Sequence, residues 1–376
     1  MQPSRPKASA PEQPGEAAGF WRTLDASANR AAEALRVLED ALRFAVGDGH
    51  LAGLAKAIRH ELAVVLASGE LRQRIGLRDV PGDVGAGRTA SLTPSRTTLA
   101  DLIAANAARG TQALRSLEEC SRLLAPAATA SFERLRYRLY TLERAALTAV
   151  GSRERLEAVR LCVLVSADSS AEAFAELLAG LLTAGVGMLQ LRDKAAGTRL
   201  LCQRAAAAVA AARHQAEASG GPRCLIIVND RADVAVAAGA DGVHVGADDL
   251  PVPLARRVCG PRLLIGRTAH SLAEARQAVL DGADYLGVGP CFPSATKAFA
   301  SFAAEAFLRQ VTGEISLPAF AIGGVTLDRI DQLAELGFGR IAVSAAVTAA
   351  SDPAAMAGQL SQRLRQLPAV QPAASG

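Results

Sequence analysis

Eight short apolar runs in the last two-thirds of the chain constrain its fold most strongly. They alternate with alanine-rich stretches of helical pattern, such as residues 170–184 and 198–219. The runs are residues 161–165, 186–191, 225–228, 242–245, 263–265, 285–288, 319–322 and 341–343. Continuous apolar strands indicate burial on both faces, as in a parallel sheet. Eight repeats predict a (β/α)8 barrel, because the rival doubly wound sheet needs no eighth repeat.

The first part of the chain, residues 16–150, has a different periodicity and predicts an all-α helical bundle. Apolar residues recur at spacings of four and three from Leu24 to Leu42, which places them on one helix face. The opposite face is charged, and Glu39 and Arg43 have the spacing of an i,i+4 ion pair. Residues 34–40 are echoed by residues 113–119, which predicts two related helices that face each other.

The segment between these two helices, residues 74–88, is rich in glycine and charged residues. This composition predicts a loop without regular structure, in which Asp79 and Asp83 are candidate functional groups.

Composition indicates the extent of the tails, the redox compartment and the kinds of partner. Residues 1–15 and 368–376 are rich in Pro, Ala, Ser and Gln, which predicts disordered tails around the bundle and a barrel of residues 155–367. Six scattered cysteines fit a reducing cytoplasm, and no apolar stretch is long enough to cross a membrane. The net charge of +4 is weak and unclustered, which argues against a nucleic-acid partner and leaves a homo-oligomer open.

Charged and polar residues follow the predicted strands, at the end of a barrel where active sites lie. Gln190, Arg192 and Lys194 alternate after the second strand, so their side chains share one side. Asp230 follows the third strand and Asp249 the fourth. Paired carboxylates suit Mg²⁺, which prefers oxygen ligands, although each aspartate alone could equally cap a helix.

The later strand ends carry the pattern of a phosphate site. Ser294, Thr296 and Lys297 follow the sixth strand and offer two hydroxyls and an ammonium group. Glycines at 323 and 324 follow the seventh strand, where they let backbone N–H groups approach a phosphate closely. His244, inside the fourth strand, is more typical of a packed core histidine, and His270 is an uncertain candidate.

Together these motifs resemble thiamine-phosphate synthase, from about residue 160 to residue 365. The matching motifs are Gln-Leu-Arg-Asp-Lys at 190–194, Asn-Asp at 229–230, Gly-Val-His-Val-Gly-x-Asp-Asp at 242–249, Gly-Val-Gly-Pro at 287–290 and Thr-Lys at 296–297. The family joins hydroxymethylpyrimidine diphosphate to a thiazole phosphate and releases pyrophosphate. The resemblance therefore implies a magnesium-dependent transferase that acts on these small molecules.

The resemblance also implies a role for each matching residue. Asp230 and Asp249 would bind Mg²⁺, and Arg192, Lys194, Asn229 and Lys297 would hold the diphosphate. Gln190 and Thr268 would face the pyrimidine, and Ser294 and Thr296 the second substrate. Gly324, Ser344 and Ala345 would offer backbone groups to the phosphate of that substrate.

The N-terminal segment resembles the helical domain fused to some thiamine-phosphate synthases, which is associated with phosphorylation of hydroxymethylpyrimidine phosphate. The matching residues are Asn29-Arg30, residues 33–40 and Asp83-Val84-Gly85. No Walker A motif is present, so a purely structural bundle remains an alternative. For the barrel, the alternatives are a thiazole tautomerase and a phosphate-ligand sensor, neither of which needs a clamp for a leaving group.

Overall fold

The computed structural model describes residues 14–78, 96–293 and 302–367. The chain divides into two compact units, Met1–Leu147 and Thr148–Gly376. The predicted fold class is confirmed, because the described residues before the closed eight-stranded barrel form helices and no strand. The predicted tails, apart from residues 14 and 15, lie outside the described residues, and so do Asp79 and Asp83. The domain limits set at residues 150 and 155 stay predictions.

Four long helices build the first unit. They are α1 (Pro14–Asp40), α2 (Gly49–Ala67), α3 (Leu99–Leu124) and α4 (Thr129–Arg155), with α1 continued by a π-helical turn over Ala41–Val46. A 3-10 helix over Gly69–Leu77 takes up the first residues of the segment that was predicted to lack regular structure. Thr98 and Asp101 form a capping box that begins α3, which satisfies backbone N–H groups at that helix end.

The apolar stripe predicted for α1 is buried, and α1 packs along α3 as the sequence echo predicts. Leu24, Leu35 and Leu42 are fully enclosed. The backbones approach closely at Gly110, where an added Cβ would lie 2.8 Å from Leu139 Cδ2 and 3.5 Å from Ala34 Cβ. Burial of such a stripe, rather than helix propensity, supplies most of the stability of a bundle.

The predicted ion pair between Glu39 and Arg43 is wrong. Glu39 is buried and accepts a hydrogen bond from Arg59 of α2 at 2.8 Å, while Arg36 pairs with Asp40. The π-helical turn after Asp40 has more residues per turn than an α-helix, so residues four apart across it no longer share a face.

The same arrangement recurs in the second copy of the repeated segment. Arg115 pairs with Glu119 as Arg36 pairs with Asp40. Glu118, the counterpart of Glu39, is buried and accepts hydrogen bonds from Arg136 of α4 at 2.9 and 3.1 Å. The repeated segment therefore reflects two similar helical hairpins. In each hairpin, a buried glutamate accepts a hydrogen bond from an arginine of the partner helix.

Eight parallel strands form the barrel of the second unit. They are β1 (Leu161–Val165), β2 (Met188–Leu191), β3 (Leu225–Asn229), β4 (Gly242–Val245), β5 (Leu264–Ala269), β6 (Tyr285–Val288), β7 (Ala319–Ile322) and β8 (Ile341–Val343). Each strand pairs with the next, and β1 closes the barrel on β8.

Helices follow the strands in the second unit. They are α5 (Ala171–Thr183), α6 (Thr198–Ser219), α7 (Ala232–Ala237), α8 (Val252–Cys259), α9 (Leu272–Asp281), α10 (Glu305–Glu314), α11 (Ile330–Glu335), α12 (Ala345–Thr348) and α13 (Pro353–Gln366). Among the described residues, no helix combines the length and apolar character that a membrane crossing requires.

The interior of the barrel changes from apolar to polar along β2, β3 and β5. Met188, Ile227 and Leu264 belong to the buried core cluster. Two or four residues later, the same strands carry Gln190, Asn229 and Thr268, all of which line a cavity. Because alternate residues of a strand point to the same side, the polar residues lie directly above the apolar layer.

Candidate active site

The cavity lies at the carboxyl ends of the strands and has a volume of about 610 Å³. Of the residues predicted from the sequence, those that line it are Gln190, Arg192, Lys194, Asn229, Asp230, Asp249, Thr268, Gly324, Ser344 and Ala345. Three further predicted residues, Ser294, Thr296 and Lys297, lie outside the described residues. The structure thus brings predicted residues from six strand ends to one cavity, as a (β/α)8 barrel permits.

Two carboxylates mark one end of the cavity. Asp230 follows β3 in a left-handed conformation with φ of 63°, and its N–H donates to the His244 carbonyl at 2.8 Å. Asp249 is oriented by the Gly246 N–H, which donates to its Oδ2 at 2.8 Å. A left-handed backbone is uncommon outside glycine, although aspartate and asparagine tolerate it best. The turn after β3 therefore holds the Asp230 side chain beside Asp249.

The proximity of the two carboxylates perturbs their protonation. Burial raises the pKa of Asp230 to about 6, and the hydrogen bond and charge of Asp249 act in the same direction. Burial opposes ionisation of Asp249 as well, but hydrogen bonds from Asp230 and the Gly246 N–H lower its pKa. Two adjacent carboxylates of this kind share a proton unless a cation lies between them.

Lys194 is the cation nearest to this pair. Its Nζ lies 3.7 Å from Asp230 Oδ2, and its side chain is largely exposed. Among the described residues, no group of three or more His, Cys, Asp or Glu side chains could hold a metal. Two carboxylates alone suit Mg²⁺, which commonly keeps water and substrate oxygens as its other ligands.

Asp193 organises the loop that carries Arg192 and Lys194, a role that the sequence motif alone did not indicate. One carboxylate oxygen accepts hydrogen bonds from Ala195 and Ala196 N–H groups at 3.0 and 2.9 Å. The other accepts from Ser166 Oγ at 2.9 Å and from Ala167 N–H at 3.2 Å, both beyond β1. Asp193 therefore ties the loops after β1 and β2 together, which fixes the backbone on both sides of its own position.

A chain of buried hydrogen bonds supports the floor of the cavity. His244 is buried, as predicted for a core histidine, but it also lines the cavity. Its Nε2 lies 2.8 Å from Thr268 Oγ1 and its Nδ1 lies 3.2 Å from the Tyr285 hydroxyl. Burial, with the charge of Arg267, lowers the pKa of His244 to about 4. The imidazole is therefore neutral at neutral pH and has one donor and one acceptor nitrogen.

The glycine turn after β7 forms the opposite end of the cavity. Gly323 and Gly324 have φ of 94° and 63°, in the left-handed region. An added Cβ on Gly324 would lie 2.2 Å from the Pro293 carbonyl oxygen, so only glycine fits. Ser344 and Ala345 after β8 line the cavity beside this turn.

Arg329 and His270 also line the cavity. His270, an uncertain candidate from the sequence, has its Nδ1 2.5 Å from the Gly289 carbonyl oxygen. Arg329, which sequence reasoning missed, donates from Nη1 to the Gly324 carbonyl at 2.6 Å. The signal that could have found it was a cation shortly after the glycine turn, and such a cation is also common on any helix surface.

A closed parallel barrel with charged residues around its carboxyl-end cavity defines a (β/α)8-barrel enzyme. Residues 161–347 match the family model of thiamine monophosphate synthase, and residues 22–145 match that of the ThiD2 family. A thiamine-phosphate synthase from Rhodopirellula baltica is 43% identical over 339 residues, covering 87% of this chain and 88% of that protein. The chain belongs to the thiamine-phosphate synthase family and is a transferase of thiamine biosynthesis.

A second relative and one solved structure are also similar to this chain. A thiamine-phosphate synthase from Gloeobacter violaceus is 40% identical over 346 residues, covering 92% of this chain and 97% of that protein. A solved structure of thiamine phosphate pyrophosphorylase from Pyrococcus furiosus is 31% identical and covers 56% of this chain and 97% of its own, with a TM-score of 0.48.

Proposed function

We propose that the barrel joins hydroxymethylpyrimidine diphosphate to a thiazole phosphate, with Mg²⁺ at Asp230 and Asp249. The observation that carries this proposal is the carboxylate pair beside Arg192 and Lys194 at one end of the cavity, with the glycine turn at the other. One end suits a diphosphate with its metal, and the other suits a monophosphate. The cavity thus offers a place for two differently charged substrates.

The carboxylate pair suits a divalent cation, because burial and the neighbouring Asp249 both oppose ionisation of Asp230. A cation between them removes this repulsion. Bound there, Mg²⁺ would neutralise charge on the diphosphate as it leaves. Asn229, next to Asp230 and also at the cavity, offers an amide group to the same ligand.

Arg192 and Lys194 would hold the diphosphate and stabilise the charge that develops when its bond to the pyrimidine methylene breaks. Such charge stabilisation by groups already in place is the largest contribution in many enzymes. The electron pair of the breaking C–O bond leaves with pyrophosphate, and the thiazole nitrogen donates a pair to the methylene carbon. Lys297 is proposed for the same role from the resemblance alone, since it lies outside the described residues.

Gln190 and Thr268 would orient the pyrimidine ring. Thr268 is fixed from below by His244, and Gln190 is buried next to the Tyr285 hydroxyl. Because His244 is neutral, this floor carries no positive charge of its own. A neutral floor would not repel the positive charge that develops on the methylene carbon.

Ser294 and Thr296 are proposed to face the thiazole phosphate from the resemblance alone, because both lie outside the described residues. Gly324, Ser344 and Ala345 would offer it backbone groups, which their position at the cavity supports. A phosphate held there would keep the thiazole nitrogen close to the methylene carbon, so that capture outcompetes water.

The two alternative functions of the barrel would require different residues. A thiazole tautomerase has no diphosphate to expel, and a sensor of phosphate ligands has no bond to break. Neither accounts for a carboxylate pair with two cations at one cavity end. Their joint presence favours the synthase.

Replacement of Lys194 tests the proposed charge stabilisation. Lys194→Ala should lower kcat about 10²-fold, on the scale of one preorganised transition-state contact. Arg231→Ala is the matched control, because Arg231 is a nearby cation that pairs with Asp233 on α7. A change in KM alone for Lys194→Ala would make this residue a uniform binding contact. Unchanged kinetics would remove it from the site.

We propose further that the helical unit phosphorylates hydroxymethylpyrimidine phosphate, the reaction that would supply the barrel with its diphosphate. The match to the ThiD2 family over residues 22–145 supports this. Arg30 and Arg109 hold equivalent places before the repeated segments, and both are exposed. Among the described residues, no carboxylate pairs with either of them, so both remain available to phosphorylated ligands. Arg36, by contrast, pairs with Asp40.

The full-length protein can test the two activities separately. Given ATP, the pyrimidine monophosphate and thiazole phosphate, it should form thiamine phosphate. Arg30→Ala should abolish this synthesis but leave synthesis from the pyrimidine diphosphate intact. Arg43→Ala, which removes an exposed arginine stacked on Phe44, is the control. If the wild type consumes no ATP with the monophosphate yet converts the diphosphate, the bundle is structural.

A further inference from the structure

We infer that Arg329 binds the phosphate of the thiazole substrate and determines the preference for a phosphorylated thiazole. This inference rests on the proposed synthase reaction and deepens it. It assigns a cationic side chain to the end of the cavity that the glycine turn forms.

The position of Arg329 is the first observation. Its side chain lines the cavity together with Gly323, Gly324 and Ser344. The other lysine and arginine side chains among the described lining residues are Arg192 and Lys194, and Lys194 lies beside the carboxylate pair. At the glycine end, Arg329 is therefore the one cationic side chain of the described lining.

The guanidinium group of Arg329 is held in place from two sides. Its Nη1 donates to the Gly324 carbonyl at 2.6 Å. Its Cζ lies 4.6 Å from the centroid of the Phe292 ring, in the stacked arrangement that guanidinium groups favour. A guanidinium has five N–H donors, of which this carbonyl takes one. The group is thus oriented in advance and has donors suited to phosphate oxygens.

The third observation concerns the charge of Arg329, which acts on the neighbouring Asp328 but makes no ion pair in the described part of the chain. Among the residues that the structure describes, no carboxylate lies within ion-pair distance of it. Other arginines of the second unit differ in this respect, since Arg231, Arg256, Arg276 and Arg363 each pair with an acidic side chain. A half-buried cation without such a partner is suited to an anionic ligand.

Binding of thiazole phosphate and of the unphosphorylated thiazole alcohol tests the inference. Arg329→Gln should weaken binding of the phosphate about 10- to 100-fold, the range for a hydrogen bond to a charged group. It should change binding of the alcohol less than about twofold, and the KM for the pyrimidine diphosphate should stay as in the wild type. Equal weakening for phosphate and alcohol would overturn the inference, and so would a selective rise in the KM of the diphosphate.

A second variant separates charge from support of the glycine turn. Lysine and glutamine can both donate a hydrogen bond to the Gly324 carbonyl, but only lysine is charged. Arg329→Lys should therefore retain most of the affinity for the phosphate. Equal losses in the lysine and glutamine variants would show that the positive charge of Arg329 does not hold the phosphate, which would overturn the inference.

A matched control and a turnover measurement complete the experiment. Arg309→Gln makes the same change at an exposed arginine that also donates to a backbone carbonyl, that of Glu335 at 2.9 Å, and it should leave both affinities unchanged. Turnover of the wild type is measured in parallel. A wild type that binds thiazole phosphate without forming product would count against the proposed synthase reaction, while the binding data would still decide the role of Arg329.

Discussion

Asp230→Asn should make the barrel more stable without Mg²⁺ and inactive with it. Asparagine resembles a protonated aspartate, tolerates the left-handed backbone at this position and can donate a hydrogen bond to Asp249. Because the pKa of Asp230 is raised to about 6, its ionised form destabilises the folded state at neutral pH. Replacement by a neutral side chain removes this cost.

The expected gain in unfolding free energy follows from the raised pKa of Asp230. A rise from an ordinary value of about 4 to about 6 corresponds to at most about 3 kcal/mol. The side chain is 23% exposed, and solvent screening reduces this figure to about 1–2 kcal/mol. For a domain of this size, we expect the melting temperature in EDTA to rise by about 2–8 °C.

The contribution of Asp230 to stability depends on pH. Between pH of about 4 and about 6 the folded protein binds more protons at Asp230 than the unfolded chain does, so this contribution to stability falls as pH rises. The penalty is complete above pH of about 6, which is where the melting curves of wild type and variant should differ most.

Melting curves in EDTA and in Mg²⁺, together with turnover, provide the assay. Mg²⁺ should raise the melting temperature of the wild type but not that of Asp230→Asn, whose kcat should be about 10³-fold lower. Asp233→Asn is the control, because Asp233 has a lowered pKa from its hydrogen bond with Arg231. That variant should gain no stability. A lower melting temperature of Asp230→Asn in EDTA, or a retained response to Mg²⁺, would refute the reasoning.

Three further predictions concern the supporting residues. Asp193→Ala should lower kcat about tenfold or more by releasing the loop that carries Lys194, and in a Lys194→Ala background the same change should add little if Asp193 acts through that loop. As pH falls from about 6.5 to about 4, the buried neutral His244 should lower the unfolding free energy of the wild type by up to about 3 kcal/mol. Urea unfolding of His244→Asn should show a smaller loss over the same pH range. An equal loss would mean that a group other than His244 titrates. Glu118→Gln should lower the unfolding free energy by about 3–5 kcal/mol, because the buried Arg136 loses its charged partner. Glu119→Gln, at an exposed position, should change it by less than about 1 kcal/mol in the same denaturation measurement.

The barrel could be predicted from the sequence because its signals are local. Each strand is a short apolar run, and the residues after it, such as Asp230 and Asp249, follow directly in the chain. Strand ends of a parallel barrel meet at one rim, so a linear order of motifs translates into one cavity. The candidate residues that the structure describes accordingly line the same cavity.

Features that depend on partners distant in the chain could not be predicted in the same way. In the sequence, Glu39 and Glu118 look like members of a solvated helix face. In the structure both are buried, and each accepts a hydrogen bond from an arginine of a neighbouring helix. The π-helical turn after Asp40 has no local sequence signature and changes which charges can pair.

The roles that sequence reasoning did not assign, those of His244 beneath Thr268 and of Arg329, share this property. His244 reaches Tyr285 and Thr268 on two other strands, and Arg329 reaches Phe292 across the rim. Their positions depend on barrel closure, which brings together residues that no local pattern connects.

Turnover by the purified full-length protein tests the central claim most directly. With hydroxymethylpyrimidine diphosphate, thiazole phosphate and Mg²⁺, the account predicts thiamine phosphate and pyrophosphate in equal amounts, and neither product when either substrate or the metal is omitted. Isomerisation of a thiazole without release of pyrophosphate, or binding of both substrates without product, would contradict it.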